Sequence, residues 1–241
     1  MQTIEFIFFF SIGIIPCILW LLFYLRQDVH PEPNKKVVEV FLWGILMVFP
    51  AVFLEKILGI FFPDEISLLS NLPLLFLYYI AGIGLIEEFF KYFVVKFTVI
   101  NSSHFDEPID AMLYLIIAGL GFATIENLLV VFNIGILEEA IIVSSTRLLT
   151  AIFLHTLAAA ITGYFLAFSL HQKKKKRGTF IFSGLSLAAT FHGLYNISMI
   201  NLEKAENIFA FLLPIAIISL MAIIIYIFFL KVKKLPRTCK F

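Results

Sequence analysis

Charge is the first thing this sequence has little of. Only 15% of its 241 residues are Asp, Glu, Lys or Arg, against 61% hydrophobic, and the formal net charge is +1. Soluble domains are about half apolar. A mean hydropathy of +1.00 therefore leaves no room for a large soluble domain. The near-neutral balance offers no basic face to nucleic acid. Cysteine is nearly absent too. Cys17 and Cys239 provide neither a disulfide framework nor a metal-type spacing. The apolar runs do not alternate with polar residues, which argues against a β-barrel. The amino-terminal "MQTIEFIFFF" has no basic segment, and no small-residue cleavage site follows it. That run is expected to persist as an uncleaved span.

What is present is a series of long apolar runs. A hydrocarbon core takes about 20 such residues per helix. Spans are expected at 4–25, 37–61, 73–99, 109–132, 147–170, 179–200 and 208–230. The expectation is an all-α polytopic membrane protein of about seven transmembrane helices. No linker or repeat divides it, so 1–241 reads as a single membrane domain. The 29 phenylalanines serve as lipid-facing and core filler.

The basic residues select an orientation. Arg26, Lys35 and Lys36 follow span 1, Lys91 and Lys96 lie toward the end of span 3, and "KKKKR" (173–177) joins spans 5 and 6. Lys231, Lys233, Lys234, Arg237 and Lys240 form the tail. Only Lys56, Arg147 and Lys204 fall toward the opposite side. Basic residues favour the cytoplasmic side. The N-terminus is therefore expected outside and the C-terminus in the cytoplasm, in a multi-pass protein of the cell membrane. The 173–177 run reads as a topology anchor or as a contact for anionic lipid headgroups.

Against this background, ionisable groups inside spans stand out. Span 3 holds Glu87, Glu88 and Lys91, and span 4 holds Glu126 followed by Asn127. Span 5 holds His155, and span 6 holds His192 with Asn196 one turn on. Each Asp, Lys or Arg at a helix centre costs about 2.5–3.5 kcal/mol on insertion scales. Counted from the outer end of each span at about 1.5 Å per residue, Glu87, His155 and His192 lie about 12 Å deep and Glu126 about 8 Å. Four spans thus bring polar groups to one level. The inner halves of spans 4 to 6 are apolar or small, so a local site between spans 3 and 6 fits better than a conduction path. One lysine balances one glutamate, which leaves the second to be protonated or paired elsewhere. Arg147 reads as an interface anchor or a group that holds a carboxylate or substrate. Asn127 and Asn196 suit interhelical hydrogen bonds or support of the site.

Such residues suit water activation, with a glutamate as base and a histidine or asparagine against the oxyanion. No serine or cysteine sits beside a histidine at this depth, so no covalent nucleophile is suggested. A metal is the other option. His155, His192 and Glu126 form a familiar zinc ligand set, although no H-E-x-x-H spacing is present. The cofactor expected is none or a single divalent metal such as zinc.

These residues also carry a resemblance. "EEFFK" (87–91), "DEPIDAMLY…AGLGFATIEN" (106–127), Arg147 with His155 and Gly163, and "HGLYN" (192–196) resemble, in order and placement, the motifs of the PrsW family of membrane proteases. The likeness covers about 80–200, the expected catalytic helices. It implies hydrolysis of peptide bonds in membrane proteins, with anti-sigma factors as the substrate type. The related CAAX endopeptidases have E-E-x-x-x-R and F-x-x-x-H, whereas this chain has Lys91 one position sooner and Phe122-x-x-x-Glu126. The resemblance implies Glu87, Glu88, Glu126, His155 and His192 as catalytic residues, with Lys91, Asn127, Asn196 and Arg147 in support. Two other classes remain open on the residues alone: a proton- or cation-coupled transporter, and a non-catalytic scaffold or immunity protein of the same fold. The partners expected are a membrane-protein substrate and the lipid bilayer.

Overall fold

In lipid a backbone must satisfy its own hydrogen bonds, which long apolar runs do as helices. The computed structural model describes residues 3–27, 30–203 and 211–236. Lys204, Arg237, Cys239, Lys240 and the start of the seventh expected span lie outside the described residues. The helices are α1 (Thr3–Leu25), α2 (Asn34–Ile60), the short α3 (Glu65–Leu69) and α4 (Leu72–Phe76), α5 (Leu85–Thr98), α6 (Pro108–Ile134), α7 (Leu137–Leu149), α8 (Ala151–Leu170), α9 (Lys174–Glu203) and α10 (Leu212–Val232). A π-helical stretch, Leu77–Gly84, joins α4 to α5. No strand occurs among the described residues.

Six segments are long and apolar enough to cross a membrane: α1, α2, Leu72–Thr98, α6, Leu137–Leu170 and α10. At 30 residues α9 has the length as well, and its basic start, serines, His192 and Asn196 make it less apolar. The fifth expected span differs in detail. Thr150 leaves helical geometry (φ −122°, ψ −95°), so α8 starts at Ala151 and a separate α7 precedes it. That break matters, because α7 carries Ser144 and Arg147 toward the site.

The centre of the bundle is α6, buried along most of its length and packed by α8, α2 and α1. Its start is fixed by Pro108 in the first turn and by a reciprocal cap between Glu107 and Asp110. Its end is fixed by Gly135 at φ 69°, a left-handed position that suits glycine. At Gly119 the α6 backbone meets α8 closely, where an added Cβ would lie 3.1 Å from the His155 carbonyl oxygen and 3.1 Å from Ala159 Cβ. Outer faces carry large apolar side chains such as Phe49, Phe53, Phe97 and Ile223, as lipid contact requires.

The π stretch packs on α9 at a second close approach. A Cβ built on Gly193 would lie 2.5 Å from the Tyr79 carbonyl oxygen and 2.8 Å from Ile80 Cα. Gly193→Val is expected to cost about 1–3 kcal/mol by overpacking, read as a lower thermal midpoint in detergent micelles. An unchanged midpoint would contradict this packing.

Candidate active site

Glu87, Glu88 and Lys91 occupy the first two turns of α5. Residues three and four apart on a helix are neighbours, so both carboxylates reach the one ammonium. Lys91 Nζ lies 2.6 Å from Glu88 Oε1 and 3.6 Å from Glu87 Oε2. The lysine is fully buried, and its Nζ stands 5.0 Å from the centroid of the Phe122 ring. A cation over an aromatic face is further stabilised. Glu88 thus takes the tight pair and Glu87 the loose one. Glu87 Oε2 and Glu88 Oε2 are both buried without a hydrogen-bond partner.

The two histidines enter from α8 and α9, with ring centroids 5.0 Å apart and planes at 88°. Their partners assign the tautomers. His155 Nε2 lies 2.7 Å from Glu126 Oε2 and its Nδ1 lies 2.7 Å from Lys91 Nζ. An ionised carboxylate only accepts and an ammonium only donates. The proton therefore sits on Nε2, and Nδ1 presents a lone pair. His192 Nδ1 lies 2.9 Å from Glu88 Oε1, so it donates there and leaves the lone pair on Nε2. Nε2 of His192 is 3.5 Å from Glu87 Oε2, and Nδ1 of His155 is 3.8 Å from the same oxygen.

Glu126 is held from α7 as well as α8. Arg147 Nη2 lies 4.0 Å from Glu126 Oε2, and Arg147 Nε donates to Asn127 Oδ1 at 2.9 Å. Asn127 Nδ2 in turn donates to the Gly13 carbonyl at 2.8 Å and to Ser144 Oγ at 3.1 Å. Asn127 is thus an interhelical tie, and Arg147 is a carboxylate partner rather than a plain interface anchor. Asn196 is half-buried one turn beyond His192. Its side chain makes no hydrogen bond among the described residues, so the structure does not join it to the cluster. Two contributors escaped the sequence reading. Ser144 carries nothing in the sequence that marks it. Glu55 of α2 did carry a signal, an acid six residues inside the expected end of span 2, about 9 Å deep. Its Oε1 is buried without a hydrogen-bond partner, and it feels the charges of Glu126 and Lys91.

These atoms fit a cation. Glu87 Oε2, His155 Nδ1 and His192 Nε2 lie within 4.8 Å of one another. Ligands about 2.1 Å from a tetrahedral zinc stand about 3.4 Å apart, close to the 3.5 and 3.8 Å observed. All three are acceptors. Both histidines are oriented by a carboxylate on the far nitrogen, an arrangement common around bound metals. Lys91 pairs tightly with Glu88, and Arg147 stands 4.0 Å from Glu126, so each of these cations has a carboxylate other than Glu87 beside it. The sequence-based ligand set was His155, His192 and Glu126. In the structure Glu87 stands at the ligand position, and Glu126 holds His155 from behind. Lys91 lies on the same lone pair of His155, so an ion at that atom displaces the ammonium contact.

The geometry gives Glu126 a positioning role, which carries an expected result. Glu126→Ala should lower activity and metal affinity together by about 10–100-fold, the usual weight of such a partner. Glu126→Gln should recover part of the loss, because its amide oxygen still accepts the His155 proton. Equal losses in the two variants would contradict that role.

The profile of a family described as "PrsW family intramembrane metalloprotease" matches residues 32–229. The chain is 33% identical over 195 residues to "Protease PrsW" of Geobacillus kaustophilus (strain HTA426), covering 80% of each chain. It is 31% identical over 194 residues to "Protease PrsW" of Bacillus subtilis (strain 168), covering 77% of this chain and 80% of that one. For "Protease PrsW" of Clostridioides difficile (strain 630) the identity is 26% over 189 residues, covering 78% and 77%. No solved structure matches.

Proposed function

This chain belongs to the PrsW family of intramembrane proteases, and on that footing we propose that it hydrolyses peptide bonds of membrane-anchored proteins at the Glu87–His155–His192 cluster. The observation that carries this reading is the convergence of two histidine lone pairs on a buried, unpartnered carboxylate oxygen. Glu87, His155 and His192 would hold a divalent metal, which when bound supplies a polarised water and a Lewis acid for the scissile carbonyl. Glu88 fixes His192 through the Nδ1 proton, and Glu126 fixes His155 through the Nε2 proton. Lys91 neutralises Glu88 in a site that apolar helices keep from bulk water. Glu87 accepts the proton of the attacking water at the oxygen not turned to the histidines. A buried carboxylate with no fixed donor is suited to that role. The substrate class follows the family resemblance: single-span membrane proteins of the anti-sigma-factor type, cut in the cell membrane.

The test is direct. Purified protein in lipid nanodiscs is given a panel of single-span membrane peptides, and products are followed by mass spectrometry with and without a metal chelator. Cleavage that stops on chelation and returns with zinc is the expected result. Cleavage that survives full metal removal would sink the metal-assisted reading. Ion flux without cleavage would sink the protease reading as a whole.

A further inference from the structure

Away from the Glu87 cluster, a groove of about 300 Å³ runs between α1, α8 and α10. Trp20 and Tyr24 of α1, Phe153 and Leu157 of α8 and Phe229 of α10 line it. The Trp20 and Phe153 rings stack at 4.4 Å with planes 3° apart, so one wall is flat. Besides the tyrosines, the polar lining residues lie just beyond two helix ends. Gln27 follows the last turn of α1, and Lys233 follows the last residue of α10. Among the described residues no acidic side chain lines the groove. Arg26, Lys231 and Lys234 flank the same helix ends in the sequence. α1 and α10 make no close backbone approach of their own among the described residues. They meet through side chains such as Tyr24 and Phe229, 6.5 Å apart.

We propose that this groove is a binding site for an anionic phospholipid. An acyl chain lies along the aromatic and aliphatic walls, and the phosphate meets Lys233 and Gln27. The volume suits a single chain, whereas a helix with its side chains is about 10–12 Å across and does not enter. Both polar groups donate: the lysine has three N–H groups and the glutamine amide two. A cation and an amide at the mouth of an apolar slot match a phosphodiester that carries one negative charge. The basic ends of α1 and α10 also lie on the side that the distribution of lysine and arginine assigns to the cytoplasm, where anionic headgroups attract basic residues. A lipid there bridges a seam that the protein leaves without backbone contact, so it fastens α10 to α1.

The test needs no substrate and does not depend on proteolysis. The protein is reconstituted into vesicles of phosphatidylglycerol and phosphatidylcholine in equal parts and re-extracted. Lipid retained per protein is then counted by mass spectrometry, and the thermal midpoint is measured after each lipid is added back. Wild type should retain phosphatidylglycerol in preference and gain the higher midpoint with it. Lys233→Ala should weaken that retention about fivefold, the weight of one basic residue near an anionic surface. Ala222→Phe, which fills the groove without changing charge, should also reduce it. Lys35→Ala, a basic residue outside the groove, should leave it unchanged. Equal retention of the two lipids would overturn the proposal. So would an equal effect of Lys35→Ala and Lys233→Ala, which marks diffuse surface attraction. Displacement by inorganic phosphate would overturn it in favour of a soluble-anion site.

Discussion

Glu87→Gln should reduce peptide cleavage by about 10²–10⁴-fold, the range over which a positioned proton acceptor contributes. The substitution keeps the shape of the side chain and removes its charge. Glu87 is also the loosely bound member of the pair, 3.6 Å from Lys91 and with its Oε2 unpartnered. The fold therefore has little to lose, and the thermal midpoint should stay near that of the wild type. Glu88→Gln should behave differently. It removes the charge that faces the buried Lys91 ammonium at 2.6 Å, while its amide oxygen can still accept the His192 proton, so stability should fall along with activity. Initial rates by mass spectrometry, with midpoints from the same preparations, separate the two effects. Full activity in Glu87→Gln would remove Glu87 from the chemistry.

The largest effect on stability is expected at Lys91. Lys91→Met leaves Glu88 buried at 0% exposure without its ammonium. Breaking one side of a buried pair costs about 3–5 kcal/mol, because the remaining charge is uncompensated. Methionine has nearly the same length and flexibility, so the loss reports charge rather than a cavity. The Phe122 cation–π contact is lost with it. Adding Glu88→Gln to Lys91→Met should restore part of the stability, since the tightly paired charge is then gone and only the loosely paired Glu87 has lost its cation. Unfolding in mixed micelles across the two single variants and the double variant measures this coupling. Strict additivity would show that the pair is not the source of the loss.

Much of this was legible in the sequence because charge is so scarce there. An ionisable group in an apolar span is costly, so Glu87, Lys91, Glu126, His155 and His192 mark themselves, and depth counting brings Glu87, Glu126, His155 and His192 to a similar level. Depth does not give rotation. Whether Glu87 or Glu126 faces the histidine lone pairs depends on how α5, α6 and α8 are turned against one another. Side-chain packing at Gly119 and Phe122 sets that turn, and periodicity does not show it. Glu55 carries the same mark, an acid about 9 Å inside an apolar span. Ser144 could not have been found, because a serine in a helix is cheap and common. Its partnership with Asn127 exists only because the chain breaks at Thr150 and brings α7 across.

The stretch Leu77–Gly84 just before the glutamates has a consequence for how such chains can vary in length. Its turns are wider than those of an α-helix, with bonds running from residue i to i+5. It therefore holds residue slack that the flanking helices lack. Removing one residue there would let the segment close into ordinary α-helix, while Leu85–Thr98 keeps the same face toward α8 and α9. The same deletion made inside α5 would swing Glu87 by about 100° around the helix axis. A one-residue gap in an aligned relative would thus be harmless in front of the site and ruinous a turn later.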